Sequence, residues 1–362
     1  MTTEADRVLM REAVDFSRQN LGLTGTNPSV GTVIVKDGDI IGRGVTAIGG
    51  RPHAEAQALS EAGEGARGAT AYVTLEPCAH HGRTPPCANA LVNAGIAKVV
   101  CALSDPDDRV AGRGFAILRD AGVEVITDVE ANYARTVLWA YLTRSDFKRS
   151  GVTLKLAVSA DGMIGIPDHA NVPITGEETR TKVHQMRAEH DVIMVGIGTA
   201  LVDDPMLNVR LEGLQHRSPH RVIVDRDARL PLTSNLVQTA GKVQTSVATC
   251  DPTGSNATAL QIEGVNIIAC AEYQGEVALP ELLEDLAGTG TQSVMLEGGA
   301  MLGASFLRDD IVDQLVLTQS KVVVGPDGLP SPVTPQTVSK GFTLRSEEQY
   351  GEDIMYRYER TR

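Results

Sequence analysis

The sequence predicts an α/β protein of two domains, and three observations carry that prediction. Apolar runs of strand length alternate with segments of helical period along the whole chain, the pattern of layered α/β folds. With 362 residues, the chain exceeds the ~250–300 at which a single core stops growing. A polar stretch, SDFKRSG at 145–151, separates two such series and reads as the linker. The expected domains are 1–147 and 148–362.

The first series opens with a helix over 4–20, in which Leu9, Ala13 and Phe16 share one face. GTVIVKDGDIIGRGV at 31–45 follows, two β-rich runs around an Asp-Gly turn, a strong hairpin signal. A helix over 53–62, a strand over 71–76 and a helix over 87–94 come next. A strand over 98–103, a helix near 113–121, a strand over 123–126 and a helix near 129–142 complete this half. Strands separated by helices predict parallel pairings and a three-layer α/β/α sandwich. In the second series strands are expected at 152–159, 191–196, 221–225, 243–250, 265–270 and 293–298. Helices belong near 177–189 and 280–286, and the tail adds two β-like runs, LVLTQSKVVVG and DIMYRYER.

Composition narrows the function. The net charge is −13, with 14 basic and 18 acidic residues in 1–147 and 19 and 28 in the remainder. Neither half has the basic excess of a nucleic-acid binder, and only 13 aromatic residues are available for base stacking. The longest apolar runs, such as VIMVGIG, fall far short of the ~20 residues that span a bilayer. The acidic start MTTEADRVLM lacks a secretory signal, and five cysteines show no framework spacing. A cytoplasmic enzyme is expected, a homo-oligomer with no nucleic-acid or membrane partner.

Chemistry concentrates in RPHAEAQAL at 51–59 and EPCAHHGRTPPC at 76–87. His53 sits at a helix start with Glu55 two residues on, Cys78 ends a strand, and Cys87 begins a helix. One imidazole and two thiolates would hold Zn²⁺ and leave its fourth position open, as catalytic sites require. A water on such an ion loses its proton near neutral pH, and a carboxylate beside it can pass that proton to a departing amine. His80 and His81 supply further donors. A fourth protein ligand from either would close the site into a structural zinc module in which Glu55 is dispensable.

H-A-E…P-C resembles the cytidine deaminase superfamily, with eight residues instead of two before the second cysteine. That long loop, together with TNPSVGTVIVKDG at 26–38 and DPDDRVAGRG at 105–114, resembles the deaminase domain of the bifunctional riboflavin-biosynthesis deaminase/reductases. The resemblance assigns one zinc ion per chain to His53, Cys78 and Cys87, and proton transfer to Glu55. It places His80 and Arg83 in the pocket wall and Asn27 against the pyrimidine. A guanidinium there suits a phosphorylated pyrimidine substrate, whereas His81 is expected to be exposed. A nucleic-acid editing deaminase, or a zinc deaminase of another nucleotide, with a C-terminal half that only binds nucleotide is the rival reading. The charge balance and scarce aromatics disfavour the nucleic-acid form of it.

Three later stretches, LKLAVSADG at 154–162, the run from Ile174 to Arg210, and MLEGGAMLGASFL at 295–307, resemble the reductase domain of the same family. The implied fold is like dihydrofolate reductase. Implied NADPH contacts are Ala157, Pro173, Thr199, Asp203 and the run Gly299, Ala300, Met301, Leu302, Gly303, Ala304, Ser305. Implied substrate contacts are Lys155, Asn171, Arg187, Leu207, Arg210 and Glu297, with Arg187 and Arg210 as the natural phosphate partners. Many members carry Ser-x-Trp-Ile-Thr where this chain has Asn171-Val172-Pro173-Ile174-Thr175, and proline cannot stack on a nicotinamide. Arg226 stands where a small hydroxyl residue is frequent and is a candidate for the NADPH 2′-phosphate. Cys101, Cys250 and Cys270 read as core.

Overall fold

Hydrophobic cores form separately in the two units, one cluster in Met1–Lys148 and three among the described residues of Arg149–Arg362. The computed structural model describes residues 2–80, 85–170 and 172–361. Arg83, His81 and Asn171 therefore lie outside the described residues.

In the first unit, Thr3 and Asp6 form a reciprocal capping box that starts helix α1 (Glu4–Ser17). The hairpin of β1 (Gly31–Lys36) and β2 (Asp39–Val45) follows, then α2 (Ala54–Ala62), β3 (Thr70–Val73) and α3 (Cys87–Asn93). Strand β4 (Lys98–Cys101), α4 (Arg113–Asp120), β5 (Glu124–Ile126) and α5 (Ala131–Phe147) complete it. The sheet order is β2-β1-β3-β4-β5. The expected hairpin pairs β1 with β2 antiparallel, and β3–β4 and β4–β5 are parallel as expected; the departure is that β3 also pairs antiparallel with β1. The hairpin accounts for the difference, because β2 takes the sheet edge and the crossover through α2 brings β3 to the other side of β1. Glycines on β2 let α2 lie directly on the sheet: a Cβ on Gly44 would stand 2.0 Å from the Ala54 carbonyl oxygen. That contact fixes the N-terminal end of α2, where His53 and Glu55 sit.

The second unit begins with β6 (Gly151–Val158), β7 (Met163–Gly165), α6 (Glu177–Ala188), β8 (Val192–Gly196) and α7 (Ile197–Asp203). Next come β9 (His220–Val224), α8 (Asn235–Gln238), β10 (Thr245–Thr249), α9 (Ser255–Ile262) and β11 (Asn266–Ala269). Strands β12 (Glu272–Tyr273) and β13 (Glu276–Val277) form a small ladder before α10 (Leu279–Gly288), β14 (Ser293–Glu297) and α11 (Ala300–Arg308). The tail holds β15 (Gln314–Gln319), β16 (Leu329–Pro330), β17 (Phe342–Tyr350) and β18 (Asp353–Arg360), with β16 paired to β7. Nine strands make one sheet in the order β11-β10-β9-β8-β14-β6-β15-β18-β17, parallel except where β18 and β17 enter. Its faces are read by alternation along β8: Val192 and Met194 join one core cluster, Ile193 and Val195 another. Both faces are covered, so the central strands read as continuous apolar runs.

Several elements differ from expectation. Helices α7, α8 and α9 and strand β17 stand outside the expected elements. Strand β17, FTLRSEEQY, carries too much charge to read as β; it pairs only with β18 at the sheet edge, where charge is compatible with a strand. In LVLTQSKVVVG the sheet stops at Gln319, and Val323 is 68% exposed. Cys101 is fully buried, whereas Cys250 and Cys270 are only half-buried against the core. Among the described residues no helix is long and apolar enough to cross a membrane.

Beside the core, the His220 imidazole hydrogen-bonds Ser246 Oγ at 2.7 Å. Burial, with the charge of Arg221 next to it, pulls His220 down to about 4 from its ordinary 6.5. The unfolded chain thus binds a proton between pH 6.5 and 4 that the folded unit refuses, so stability is intact above 6.5 and falls as pH drops towards 4. We expect the second unit to lose stability over that window, by at most ~3 kcal/mol from this residue. A flatter pH dependence of unfolding in His220→Gln checks it; an unaltered slope in that variant removes His220 as the cause.

Candidate active sites

His53 caps the N-terminal end of α2, Cys78 lies on the loop after β3, and Cys87 is the first residue of α3. The fold brings the three together. His53 Nδ1 lies 3.4 Å from Cys87 Sγ and 3.7 Å from Cys78 Sγ, and the Cys87 N–H donates to Cys78 Sγ at 3.3 Å. All three donor atoms fall within 4.8 Å of one another, the only such cluster among the described residues. Hydrogen bonds from Cys87 and His53 hold Cys78 down to about 4, while the same thiol contact and burial push Cys87 up. Two thiols this close resist ionising together unless a cation shares them. One nitrogen and two sulfurs in this arrangement fit a zinc ion and leave room for a fourth, non-protein ligand.

Glu55, in the first turn of α2, is only 4% exposed. Burial, then the charge of Cys78, raises its carboxyl to about 7. At neutral pH such a group both takes and gives a proton. A cavity of ≈ 220 Å³ opens beside it, lined among others by Asn27, His53, Cys78 and His80. Four of the residues expected around this pocket are thus together with Glu55. His80 Nδ1 is buried with no hydrogen-bond partner among the described residues, an acceptor or donor left for a ligand.

The cavity also holds residues to which the sequence assigned no role. Asp105, Asp107 and Arg109 come from DPDDRVAGRG, Arg51 from RPHAEAQAL, and Tyr141 and Arg144 from α5. Tyr141 donates to Asp105 Oδ1 at 2.8 Å, and Arg109 forks onto Asp107. The signal for them was the acidic-basic run DPDDR itself, which reads equally well as a solvated loop.

In the second unit, Lys155 on β6 and Glu297 on β14 are paired neighbours in the sheet. Lys155 is half-buried, and desolvation pulls its ammonium down. Arg187, from α6, grips Glu297 through two bonds of 2.6 and 2.8 Å and donates to the Asn208 carbonyl at 3.1 Å. Burial alone would raise Glu297, but Arg187 holds it at about 2. The Arg187 fork is thereby occupied by a carboxylate instead of standing free for a phosphate. Arg210 is exposed, with one bond of 3.2 Å to Asn208 Oδ1.

Around α11, Gly299 takes φ 75° at the helix cap, and Thr199 Oγ1 would lie 3.2 Å from a Cβ there. Thr199 and the double glycine therefore share one site at a strand-to-helix junction. Ala157 lies on β6 two residues past Lys155, Asp203 ends α7, and Leu207 is buried with φ 45°. Ala300, Leu302, Gly303 and Ala304 form the first turns of α11, with Met301 81% exposed. The Ser305 hydroxyl is turned to Glu276 Oε2 at 3.2 Å. Asp204 has a structural task, accepting the Asn235 N–H at 2.8 Å. Pro173 is exposed on a loop. Arg226 is paired with Asp227 at 2.8 and 3.0 Å and donates to the Gly275 carbonyl, so its guanidinium is already engaged within the chain.

Comparisons with known proteins find relatives of both units. Residues 3–103 match the family described as the cytidine and deoxycytidylate deaminase zinc-binding region, and residues 150–356 match the RibD C-terminal domain. The chain is 38% identical to the riboflavin biosynthesis protein RibD of Actinobacillus pleuropneumoniae, over 98% of this chain and 96% of that one. Identity to RibD of Escherichia coli is 35%, over 89% of each. Among solved structures, RibD of Acinetobacter baumannii superposes with a TM-score of 0.86 at 36% identity. A diaminohydroxyphosphoribosylaminopyrimidine deaminase/5-amino-6-(5-phosphoribosylamino)uracil reductase of Thermotoga maritima gives 0.87 at 31%. Each pair covers 99% of both chains. Similarity over both units leaves the reading of a merely nucleotide-binding C-terminal half without support.

Proposed function

The chain belongs to the RibD family of bifunctional riboflavin-biosynthesis enzymes, and from that premise we propose how its two units divide the work. The first hydrolyses the ring amine of 2,5-diamino-6-ribosylamino-4(3H)-pyrimidinone 5′-phosphate. The second reduces the ribosyl group of the deaminated product to ribityl. The observation that carries the reading is a buried carboxyl, Glu55, next to a three-donor set that leaves one metal position free.

When bound to His53, Cys78 and Cys87, zinc supplies an acidified water as nucleophile. The rest falls to the protein. Glu55, poised near neutrality, moves two protons: the first from the nucleophile to the ring nitrogen, the second from the added hydroxyl to the amine, which leaves as ammonia. Asn27 and His80 face the cavity and orient the pyrimidine. In the second unit NADPH supplies hydride, and its phosphates suit the α11 start, where Gly299 lets backbone N–H groups approach. Lys155, half-buried, and Glu297, buried beside it, hold the sugar end of the substrate, and Arg210 offers its phosphate a cation. This enzyme needs neither a membrane nor a nucleic acid; a cytoplasmic homo-oligomer accords with it.

Metal removal separates the two activities. Treating the protein with a zinc chelator, or replacing Cys87 by serine, is expected to abolish ammonia release from the diaminopyrimidine. NADPH oxidation on the deaminated intermediate should persist. Ammonia release that survives full metal removal would overturn the deaminase reading, and no NADPH oxidation by the untreated protein would overturn the reductase reading.

A further inference from the structure

Glu76 is buried, 3% exposed, two residues before Cys78, and no step above uses it. Its carboxylate accepts four backbone N–H groups. Oε2 takes Asp105 at 3.4 Å and Gly112 at 3.1 Å; Oε1 takes Gly114 at 3.0 Å and Phe115 at 3.3 Å. These donors come from the two ends of one segment, 105–115, which leaves β4 and enters α4. One carboxylate thus ties both ends of the segment together, and at its second end it also meets the first turn of α4, where orphan N–H groups favour an anion. Gly114 permits the approach: a Cβ there would stand 2.1 Å from the Pro77 carbonyl oxygen and 3.2 Å from Glu76 Cγ.

The tied segment is a wall of the deaminase cavity, contributing Asp105, Asp107, Arg109 and Val110. Its side chains form a network of their own. Asp105 accepts from Tyr141 and from the Asp107 N–H, and Asp107 pairs with Arg109. The network can face the cavity only while the backbone beneath it is held.

Resting on the deaminase reading, we propose that Glu76 is a positioning residue: it pins segment 105–115 as a substrate-facing wall of the cavity that His53 and Glu55 also line, and so sets substrate affinity without entering the chemical step. A carboxylate is the one side chain of this length that accepts on both oxygens at once. Glutamine keeps the shape but puts an NH₂ group against two N–H donors, so it should do no better than alanine.

The test uses the full chain with zinc bound, as Glu76→Gln and Glu76→Ala. Ammonia release should show KM raised about tenfold, the factor expected from losing charge-assisted hydrogen bonds. With kcat little changed, zinc content and NADPH oxidation on the deaminated intermediate should stay at parent levels. Amide hydrogen exchange at Gly112, Gly114 and Phe115 should speed up in both variants. An unchanged KM overturns the proposal, as does a glutamine variant that restores parent behaviour, or zinc loss with a fall in kcat alone. If the parent itself releases no ammonia, the deaminase reading fails; protected amides in the variants then overturn the role of Glu76 on their own.

Discussion

Glu55→Gln is expected to release ammonia about 10³-fold more slowly than the parent protein while keeping its zinc and its NADPH oxidation. The carboxyl is buried, raised to about 7, and beside the donor set of His53, Cys78 and Cys87. Glutamine preserves its volume and one acceptor oxygen but cannot take up and hand on a proton, so the loss reports proton transfer and not packing. Three measurements on one preparation decide it: ammonia release, metal content, and NADPH oxidation on the deaminated intermediate. The last monitors the other unit of the same chain, which has its own core. Ammonia release within tenfold of the parent, with zinc retained, would remove Glu55 from the proton path.

The largest expected effect on stability lies elsewhere. Arg221, on β9, is fully buried. Its guanidinium donates to the carbonyl oxygens of Met206, Leu236 and Val243 and to the hydroxyls of Thr239 and Thr245. Desolvation pulls its pKa down to about 10, still charged at neutral pH. Replacing it by alanine leaves a large cavity and takes the donor from three carbonyls, that of Leu236 buried and those of Met206 and Val243 half-buried. We expect a loss of about 3–5 kcal/mol in the unit Arg149–Arg362. Replacing it by methionine restores the volume but not the donors and should recover only part of the loss. The single tryptophan, Trp139, lies in α5 of the first unit, so its fluorescence follows that unit while loss of NADPH oxidation on heating follows the second. A variant whose second unit melts within 1 kcal/mol of the parent would show the carbonyls to be satisfied some other way.

Much of the first site was legible in the sequence. H-A-E…P-C names residue types whose chemistry is specific, and the fold sets His53, Cys78 and Cys87 within 4.8 Å of one another. Asn27 and His80 likewise line the cavity. The resemblance named Lys155, Arg187 and Glu297, which the fold brings together, yet the bond from Arg187 to Glu297 was not legible. A helix arginine reads alike whether it is solvated, bound to phosphate or gripped by a carboxylate 110 residues away. Arg226 illustrates the same gap, since its pairing with Asp227 and Gly275 depends on a turn and a distant hairpin. Strand β17 went unseen because hydrophobic alternation marks only strands with a buried face.

The sequence by itself determined the α/β class, the two series of elements and the metal-binding residue types, because periodicity and donor chemistry are local properties. Only the tertiary structure decided which strand lies beside which, that Glu55 is buried enough to sit near neutrality, and that Glu76 accepts from both ends of a segment lining the same pocket. Those depend on which groups are brought near one another from distant parts of the chain. Desolvation and hydrogen bonding act through distance in space, which a linear order of residues does not contain.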